Sequence, residues 1–332
     1  RSLPATRVDR MILVVVEHDG NGPDRLSVEA LALGRSLAEA TGEPLHAVAW
    51  GSKAAGLATA LGASGVGVLH AIEDGRLDVH APEAIGIALA QLIDRDAPAA
   101  VVGTSSDRGS EVMAHAAART GLALTANCTE VRPGGEWEAT RQRWAGSLLE
   151  EIRLEGPVRL LTVAAHAVEP ALAASPSTVA VQPFAPTLSD RDLRVRITSR
   201  VPAEEGKISL ADARVVVGGG RGVGSAEGFA QLDELASLLG GTVGVSRVVT
   251  SAGWRPHAQQ VGQTGTRIAP DLYIACGISG AIQHIVGMRA AKNVLAINTD
   301  RDAPMVTRAT YAVIGDLHAI LPAIIAEVRA AR

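Results

Sequence analysis

The chain has 332 residues, of which 47% are hydrophobic and 20% are charged, and its formal net charge is -4. A chain of this length fits two domains of ordinary size, and this composition excludes an intrinsically disordered protein. The acidic balance and the lack of a basic cluster in the sequence argue against nucleic-acid binding, and no apolar run approaches the roughly 20 residues of a membrane-spanning helix. We therefore expect a globular protein that neither binds nucleic acid nor is embedded in a membrane.

The cysteines and the first residues bear on metal sites and on the compartment. Cys128 and Cys276 are the only cysteines, and neither stands in a CxxC or Cys/His grouping. This spacing argues against a disulfide framework and against an iron–sulfur or zinc site, so we expect no metal and a reducing compartment such as the cytoplasm. Residues 1–10 lack the long apolar core of a secretory signal, and we interpret them as an extension of unassigned role.

From Met11 onward, apolar β-rich runs alternate with helical patterns. Strands are predicted at 12–16, 45–49, 65–69 and 99–102, and helices at 23–40, 54–61, 81–94 and 108–120. This βαβ rhythm is typical of a parallel sheet flanked by helices. Further strands are predicted at 122–130 and within 148–164, with a hairpin around Pro133-Gly134-Gly135 between them.

A stretch at 173–206 is rich in proline, serine and charge, and its prolines (Pro176, Pro183, Pro186 and Pro202) forbid a continuous helix. We place the domain boundary here, with an N-terminal α/β domain at 1–198 and a C-terminal domain at 199–332. The C-terminal part has predicted strands at 214–217, 242–245, 272–275, 293–297 and 311–314, and helices at 226–239, 280–290 and 317–330. The predicted fold class is α/β, with two domains that each contain a mainly parallel sheet flanked by helices.

Small, polar or charged residues follow every predicted strand of the C-terminal domain. They are GGGRGVGS at 218–225, Ser246-Arg247, Gly277-Ile278-Ser279-Gly280, Asn298 and Gly315-Asp316. Ligands of open parallel sheets bind beyond the carboxyl ends of the strands, where helix N-termini offer unpaired N–H groups. We therefore expect a ligand-binding cleft at this edge. Its glycines would let the backbone approach a pyrophosphate, and Arg221 would supply forked donors.

Each of these features also has an interpretation that requires no ligand. The glycine cluster alone is a weak signal, since it could simply form a tight turn between a strand and a helix start. Ser279 and Asp316 are suited to cap the helices that follow them, and Asn298 is suited to form a turn.

Two further polar features lie near the predicted cleft. His284 follows Gly280 by four residues and is expected on the same helix face, where a lone histidine is more often structural than ligand-binding. The loop at 259–266 is rich in amide and hydroxyl groups and is expected at the surface. Such a loop either remains a solvated connection or surrounds a heterocycle.

Several longer segments of the C-terminal half keep a distinctive order and spacing. They are GGGRGVGS at 218–225, VSR at 245–247, AGW at 252–254, QVGQTG at 260–265, LYIACGISGAIQH at 272–284, AIN at 296–298 and GD at 315–316. In this order they resemble the FAD-binding domain of electron-transfer flavoprotein α subunits. The N-terminal half is similar more loosely, through its βαβ plan and through ARTGLALTANCTE at 118–130.

The resemblance implies a Rossmann-like C-terminal domain that binds FAD. Position by position, it implies an FAD site lined by Arg221, Ser246, Arg247, Val261, Gly262, Gln263, Thr264, Ser279, Gly280, Ala281, Ile282, Gln283, His284, Asn298, Asp316 and Leu317. Among these, it places Arg247, Thr264 and His284 nearest to the isoalloxazine ring. There they would tune the redox potential, and no catalytic residue is implied.

The resemblance also implies an electron carrier rather than an autonomous enzyme. Such a carrier would pass electrons from flavin dehydrogenases, such as the acyl-CoA dehydrogenases of fatty-acid β-oxidation, to a membrane quinone oxidoreductase or a similar acceptor. Its N-terminal domain, of the nucleotide α-hydrolase type, would contact a β subunit in a heterodimer. The expected location is the bacterial cytoplasm, or the mitochondrial matrix for a eukaryotic chain. The donor, the acceptor and any electron bifurcation stay open.

Two alternatives from other classes compete with the carrier. In an NAD-dependent Rossmann dehydrogenase, the glycine cluster would hold the dinucleotide, but an acidic residue should follow the strand predicted at 242–245, where Ser246-Arg247 stand instead. The other alternative is a nucleotide-binding module without redox activity, based on the N-terminal domain. A flavin absorbance spectrum separates both from the carrier.

Overall fold

A computed structural model describes residues 10–199 and 208–331 of the chain. The chain divides into two compact units, Arg1–Arg200 and Val201–Arg332, here called the first and the second unit. Residues 1–9 of the predicted extension and the end of the predicted linker, including Pro202, lie outside the described residues. The domain boundary placed between residues 198 and 199 stays a prediction.

The first unit is built on a nine-stranded sheet. Its strands are β1 (Ile12–Val15), β2 (Leu45–Trp50), β3 (Val68–Ile72), β4 (Ala100–Thr104), β5 (Leu124–Arg132), β6 (Trp137–Arg143), β7 (Leu148–Leu154), β8 (Arg159–Val163) and β9 (Ala180–Pro183). Their order is β7-β6-β5-β8-β4-β1-β2-β3-β9. Only the pairs β5–β6 and β6–β7 of this sheet are antiparallel.

Helices cover both faces of this sheet and explain its apolar central strands. The helices are α1 (Arg25–Thr41), α2 (Ala58–Gly62), α3 (Pro82–Asp96) and α4 (Asp107–Thr120). Ile12 and Val14 of β1 pack in one core with α1, whereas Leu13 and Val15 pack in a second core with α3 and α4. Because successive side chains of a strand point to opposite faces, a strand buried on both faces is apolar throughout.

The second unit contains a five-stranded sheet in which all pairs are parallel. Its strands are β10 (Val215–Gly219), β11 (Thr242–Val245), β12 (Leu272–Cys276), β13 (Asn293–Asn298) and β14 (Tyr311–Ile314), in the order β11-β10-β12-β13-β14. Its helices are α5 (Phe229–Leu238), α6 (Arg247–Ser251), α7 (Ile282–Met288), α8 (Pro304–Arg308) and α9 (Leu317–Ala330). The chain leaves β10 to one side and returns on the other, so the topological switch point lies between β10 and β12.

The predicted fold class is confirmed, and the differences concern particular elements. The strand predicted at 65–69 begins at Val68, after a turn in which Gly65 has a φ of 86°. The helix predicted at 54–61 is a 3₁₀ turn followed by α2. β9 lies inside the proline-rich stretch, at the edge of the sheet, where Pro183 removes no ladder hydrogen bond.

Two helices that border the carboxyl edge of the second sheet begin later than predicted. The helix expected from 226 begins at Phe229, because residues 226–228 form a turn in which the Ala226 carbonyl accepts from the Phe229 N–H at 3.3 Å. The helix expected from 280 begins at Ile282, because Gly280 has a φ of 85°. The short helices α6 and α8 were not predicted. None of the helices in the described ranges is long and apolar enough to cross a bilayer.

Candidate functional site

A cavity of about 660 Å³ opens at the carboxyl edge of the second sheet, here called the second-unit cleft. It is lined by Arg221, Gly222, Ser246, Arg247, Val248, Ser251, Gln260, Val261, Gly262, Gln263, Thr264, Gly277, Ile278, Ser279, Gly280, Ala281, Gln283, His284, Asn298, Asp300 and Ala303. These residues follow β10, β11, β12 and β13, so the cleft spans the switch point. This is where an open parallel sheet is expected to bind a ligand.

Glycine backbone builds the wall between the ends of β10 and β12. A Cβ at Gly220 would collide with the carbonyl oxygen of Gly277, and a Cβ at Gly222 would lie 2.7 Å from the Gly277 Cα. The Gly222 N–H donates to the Gly277 carbonyl at 3.1 Å, and Gly277 itself has a φ of 61°. The two turns therefore pack backbone on backbone, which leaves no side chain between them and a ligand.

Two arginines bring positive charge to the cleft. Arg221 lies in the 3₁₀ turn after β10, and Arg247 is the first residue of α6. Both side chains are exposed, and no described carboxylate forms an ion pair with either. Because their donors are unpaired, these guanidinium groups are available to an anionic ligand.

The loop at 259–266 turns inward at residues 260–262, where the prediction of a surface loop is wrong. Gln260 and Val261 are 2% and 1% exposed. The Val261 N–H donates to the Val245 carbonyl of β11 at 2.9 Å, so the loop is attached to the edge of the sheet. Gln263 and Thr264 remain exposed and line the cleft.

Inside this loop, a buried amide connects two threonines. The Thr250 hydroxyl on α6 donates to Gln260 Oε1 at 2.6 Å. Gln260 Nε2 donates to Thr264 Oγ1 at 3.0 Å. A chain of three side chains thus links α6, which carries Arg247, to the polar wall of the cleft.

His284 lies beside this loop, since the Gln263 N–H donates to the Gln283 carbonyl at 2.8 Å, and it is held by a buried tyrosine. The Tyr273 hydroxyl lies 2.7 Å from His284 Nε2. Burial lowers the pKa of His284 to about 4 and raises the pKa of Tyr273 far above its usual value. His284 Nδ1 is buried without a well-aligned hydrogen bond among the described residues, and a contact with the Val261 backbone only partly opposes the effect of burial on its pKa. His284 is therefore neutral at physiological pH, and Arg247 rather than His284 supplies positive charge.

The smaller predictions for capping residues have mixed outcomes. Asp316 caps α9, since its side chain accepts from the His318 N–H at 2.9 Å. Ser279 is not an N-cap, because α7 begins only after Ala281. Gly280 also precedes this helix, so it does not share a helix face with His284. Asn298 does form a turn, since its Oδ1 accepts from the Asp300 N–H, and its Nδ2 also donates to the Ile278 carbonyl.

Comparison with known proteins places the chain in a family. A model described as "Electron transfer flavoprotein FAD-binding domain" matches residues 209–289, and one described as "Electron transfer flavoprotein domain" matches residues 12–188. The electron transfer flavoprotein subunit alpha of Mycobacterium tuberculosis (strain H37Rv) is 37% identical over 322 residues, which cover 96% of this chain and 98% of the relative. The subunit of the same name from Thermoanaerobacterium thermosaccharolyticum is 32% identical over 307 residues, which cover 92% and 93%. The chain belongs to the family of electron transfer flavoprotein α subunits.

This membership confirms the resemblance and the predicted cofactor. The chain is a subunit of an electron carrier rather than an enzyme, and its second unit contains the FAD-binding domain of the family. The alternatives of an NAD-dependent dehydrogenase and of a non-redox nucleotide module are therefore wrong. Within the described ranges, no group of three or more histidine, cysteine, aspartate or glutamate side chains is arranged to hold a metal ion.

The residues of the second-unit cleft fit the chemistry of FAD. A glycine cradle that a single Cβ would fill, with Arg221 beside it, suits a pyrophosphate. The hydroxyl and amide groups of Ser246, Gln263 and Thr264 suit a heterocycle rich in nitrogen and oxygen. The cleft therefore combines the two kinds of partner that this cofactor needs.

The cleft of this flavoprotein subunit contains most, but not all, of the residues predicted for it. Ile282 and Asp316 do not line the cavity, and Leu317, the first residue of α9, is 6% exposed and packs in the core of the unit. Their assignment to the FAD stays a prediction. Conversely, the cavity wall includes residues that were not assigned to the site, namely Gly222, Val248, Ser251, Gln260, Gly277, Ile278, Asp300 and Ala303.

Some of these additional residues carried a sequence signal. Gly222, Gly277 and Ile278 belong to segments that follow predicted strands. The expectation that a ligand binds beyond the carboxyl ends of strands therefore already applied to them. Val248 and Ser251 lie on α6, which has no recognisable periodicity at five residues. Asp300 and Ala303 lie in and after the turn that Asn298 forms at the end of β13, and their position at the cleft depends on how the chain packs after that turn.

Proposed function

We propose that the second-unit cleft holds the FAD of an electron-carrying heterodimer formed with a β subunit. The observation that carries the proposal is the cavity at the switch point between β10 and β12, lined by Arg221, Arg247 and Thr264 together. When bound, FAD supplies the redox chemistry, whereas the protein supplies binding, orientation and electrostatics. The proposed location is the cytoplasm, and the proposed β-subunit contact is the first unit.

The proposed partners follow from the same role. Flavin dehydrogenases, such as acyl-CoA dehydrogenases in fatty-acid β-oxidation, would donate electrons, and a membrane quinone oxidoreductase or a similar protein would accept them. We also propose that Ile282, Asp316 and Leu317 support the FAD from outside the cavity wall, through α7 and the start of α9. Ser279, Gly280, Ala281, Gln283 and Asn298 would contact it from the loops after β12 and β13.

Arg247 is proposed to set the potential at which the carrier accepts its first electron. A unit charge about 4 Å from another, at an effective dielectric of about 20, is worth roughly 4 kcal/mol. For one electron this corresponds to on the order of 170 mV, at ~59 mV per tenfold change. Because His284 is neutral and Arg247 has no described ion-pair partner, the arginine is the group suited to this role.

The experiment that tests the proposal is an anaerobic redox titration of the chain co-purified with its β subunit. We expect a flavin absorbance spectrum from the wild-type complex. The variant Arg247→Ala should keep its FAD and show a lower one-electron potential. Arg308→Ala, which removes an exposed arginine of the same unit outside the cavity wall, is the matched control and should leave the titration unchanged.

The outcomes separate the two parts of the proposal. An unchanged titration of Arg247→Ala would remove the role given to Arg247 and leave the FAD site in place. A wild-type complex that contains no flavin and takes up no added FAD would overturn the proposed site itself.

A further inference from the structure

Gln260 is a buried residue in the wall of the second-unit cleft, next to Thr264. Its side chain is enclosed, since the residue is 2% exposed, and its backbone is fixed at both ends. The Gln260 N–H donates to the His257 carbonyl at 2.8 Å, and the Gln260 carbonyl accepts from the Thr266 N–H at 2.7 Å. With its backbone held in this way, the side chain stays between Thr250 and Thr264, and only the direction of its amide is left to be set.

The two hydrogen-bond lengths decide which way the amide faces. The contact between Thr250 Oγ1 and Gln260 Oε1 is 2.6 Å, which is normal for an O–H···O bond. The contact between Gln260 Nε2 and Thr264 Oγ1 is 3.0 Å, which is normal for an N–H···O bond. If the amide were reversed, an N–H···O bond would have to be 2.6 Å long, below the usual range of about 2.7–3.2 Å.

In this orientation the Thr250 hydroxyl must donate, because an amide oxygen has no hydrogen. The same hydroxyl also lies 2.9 Å from the Arg247 carbonyl, within its own helix, but the contact with Gln260 is the shorter one. Thr250 therefore fixes Oε1 on its own side and directs Nε2 towards Thr264.

The direction of the Gln260 amide determines the hydrogen-bonding role of the Thr264 hydroxyl. Its oxygen accepts a hydrogen from Gln260 Nε2, and its own hydrogen is left without a partner among the described residues. Thr264 is exposed and lines the cleft. A hydroxyl has one hydrogen to give, so this one is free to point into the cleft.

We propose that Gln260, held by Thr250, is a positioning residue that makes Thr264 a hydrogen-bond donor to the FAD. This inference rests on the proposed function, because it requires the FAD to lie against Thr264. A donor towards a group that gains electrons stabilises the reduced form more than the oxidised form. The relay from Thr250 through Gln260 to Thr264 therefore raises the potential of one-electron reduction.

The test uses Thr250→Val, because Thr250 does not line the cleft and the change alters no charge. Without the Thr250 donor the amide is free to reverse, and the Thr264 hydroxyl then donates to Gln260 instead of to the FAD. We expect FAD to remain bound and the one-electron equilibrium of the αβ complex to shift about tenfold towards oxidation, or ~59 mV. Thr250→Ser keeps a hydroxyl at the same place and should restore the wild-type potential. Thr250→Ala serves if the valine variant does not fold.

A double-mutant cycle with Thr264→Val distinguishes the relay from a general structural effect. If Thr250 acts only through Thr264, Thr250→Val should cause no further shift in the Thr264→Val background. Equal shifts in both backgrounds would overturn the relay, as would a wild-type potential in Thr250→Val or in Thr264→Val. Each of these results contradicts the relay but not the FAD site. Absence of FAD from the wild-type complex would instead contradict the proposed function itself.

Discussion

The two units present the same edge of the same kind of sheet, yet the two edges differ chemically. The first unit also has a cavity at the carboxyl edge, of about 400 Å³, here called the first-unit cleft. It is lined by Glu17, His18, Asp19, Gly20, Asp24, Trp50, Ser52, Lys53, Leu77, Asp78, His80 and Arg108. In the second-unit cleft the prominent charges are arginines without described partners. In the first-unit cleft they are mostly carboxylates that already accept hydrogen bonds from the protein.

In the first-unit cleft, a side chain of the protein itself, Glu17, takes the place of an anionic ligand. It is 6% exposed and accepts hydrogen bonds from the hydroxyls of Thr104 and Ser106. Ser106 caps α4, and a Cβ at Gly109 in the first turn of that helix would lie 2.6 Å from Glu17 Oε1. The carboxylate thus sits at the helix N-terminus, where an anionic ligand would otherwise bind. A carboxyl-edge cavity is therefore suited to an anionic cofactor only where the protein has left its own donors unpaired.

The largest expected effect comes from filling the glycine wall of the second-unit cleft. Gly277→Ala places a Cβ 2.7 Å from the Gly222 Cα at a φ of 61°. We expect a loss of about 3 kcal/mol from crowding and backbone strain, together with loss of FAD binding. Urea unfolding and FAD titration of the αβ complex measure both effects.

Gly240→Ala is the matched control for this substitution. Gly240 has nearly the same φ, 63°, but a Cβ there would meet nothing within 4 Å. It should lose only about 1 kcal/mol and keep its FAD. Equal losses in the two variants would mean that the φ angle alone, and not the packing of the two turns, requires glycine at 277.

The second effect concerns the unpaired arginines. Arg221→Ala should weaken FAD binding by between roughly tenfold and a hundredfold, because a charge-assisted hydrogen bond contributes about 1.5–3 kcal/mol. Arg108→Ala removes an exposed arginine from the first-unit cleft and should leave FAD affinity unchanged. Equilibrium titration of the apo complex with FAD compares them. A comparable loss in both variants would contradict the contrast between the two clefts.

The same contrast explains what could be predicted from the sequence. Both sheets were predictable, because strands covered on both faces, such as β1 and β12, are continuous apolar runs. Most of the second-unit cleft was predictable as well, since parallel strands expose their carboxyl ends at one edge. The same rule marks the first-unit cleft. It does not reveal that the Glu17 side chain occupies the N-terminus of α4, because its hydrogen bonds join residues 87 and 89 positions apart.

The elements that were missed carry little local signal. α6 and α8 have five residues each, too few for a helical period to emerge, and all four residues of β9 are exposed and end in a proline. The inward turn at Gln260 depends on a backbone bond from Val261 to Val245 of β11, which is a tertiary contact. Local polarity indicated a surface loop there, and the attachment to the sheet overrode it.

The third effect is a pH dependence of the stability of the second unit. The pKa of His284 is lowered to about 4 by burial, below its ordinary value of 6.5. The unfolded chain therefore binds more protons between these values, and stability is lost as the pH falls through this window. Between pH 7 and pH 5, His284 should account for a loss of about 2 kcal/mol.

His284→Gln should remove this part of the pH dependence, whatever its effect on stability at pH 7. The measurement is urea unfolding of the full chain at both pH values, monitored by hydrogen exchange in peptides of β10 and β12. His318→Gln changes an exposed histidine of the same unit and is the control. A pH dependence of His284→Gln equal to that of the wild type would show that His284 is not held neutral by the fold.

The smallest expected effect tests how the charge of Glu17 in the first-unit cleft affects the stability of the first unit. Burial raises the pKa of the Glu17 carboxyl above its usual value, against the opposing hydrogen bonds from Ser106 and Thr104. A raised pKa means that stability is lost as the pH rises through it, because the charged form is disfavoured in the folded state. Glu17→Gln keeps an acceptor oxygen without the charge and should stabilise the first unit at pH 7 by on the order of 1 kcal/mol. This gain should shrink towards pH 4, and Glu73→Gln, at an exposed glutamate of the same unit, should show neither effect. A destabilised Glu17→Gln would instead mean that the negative charge interacts favourably with the N-terminus of α4. Glu17 would then stabilise the helix electrostatically, in addition to occupying the place of a ligand.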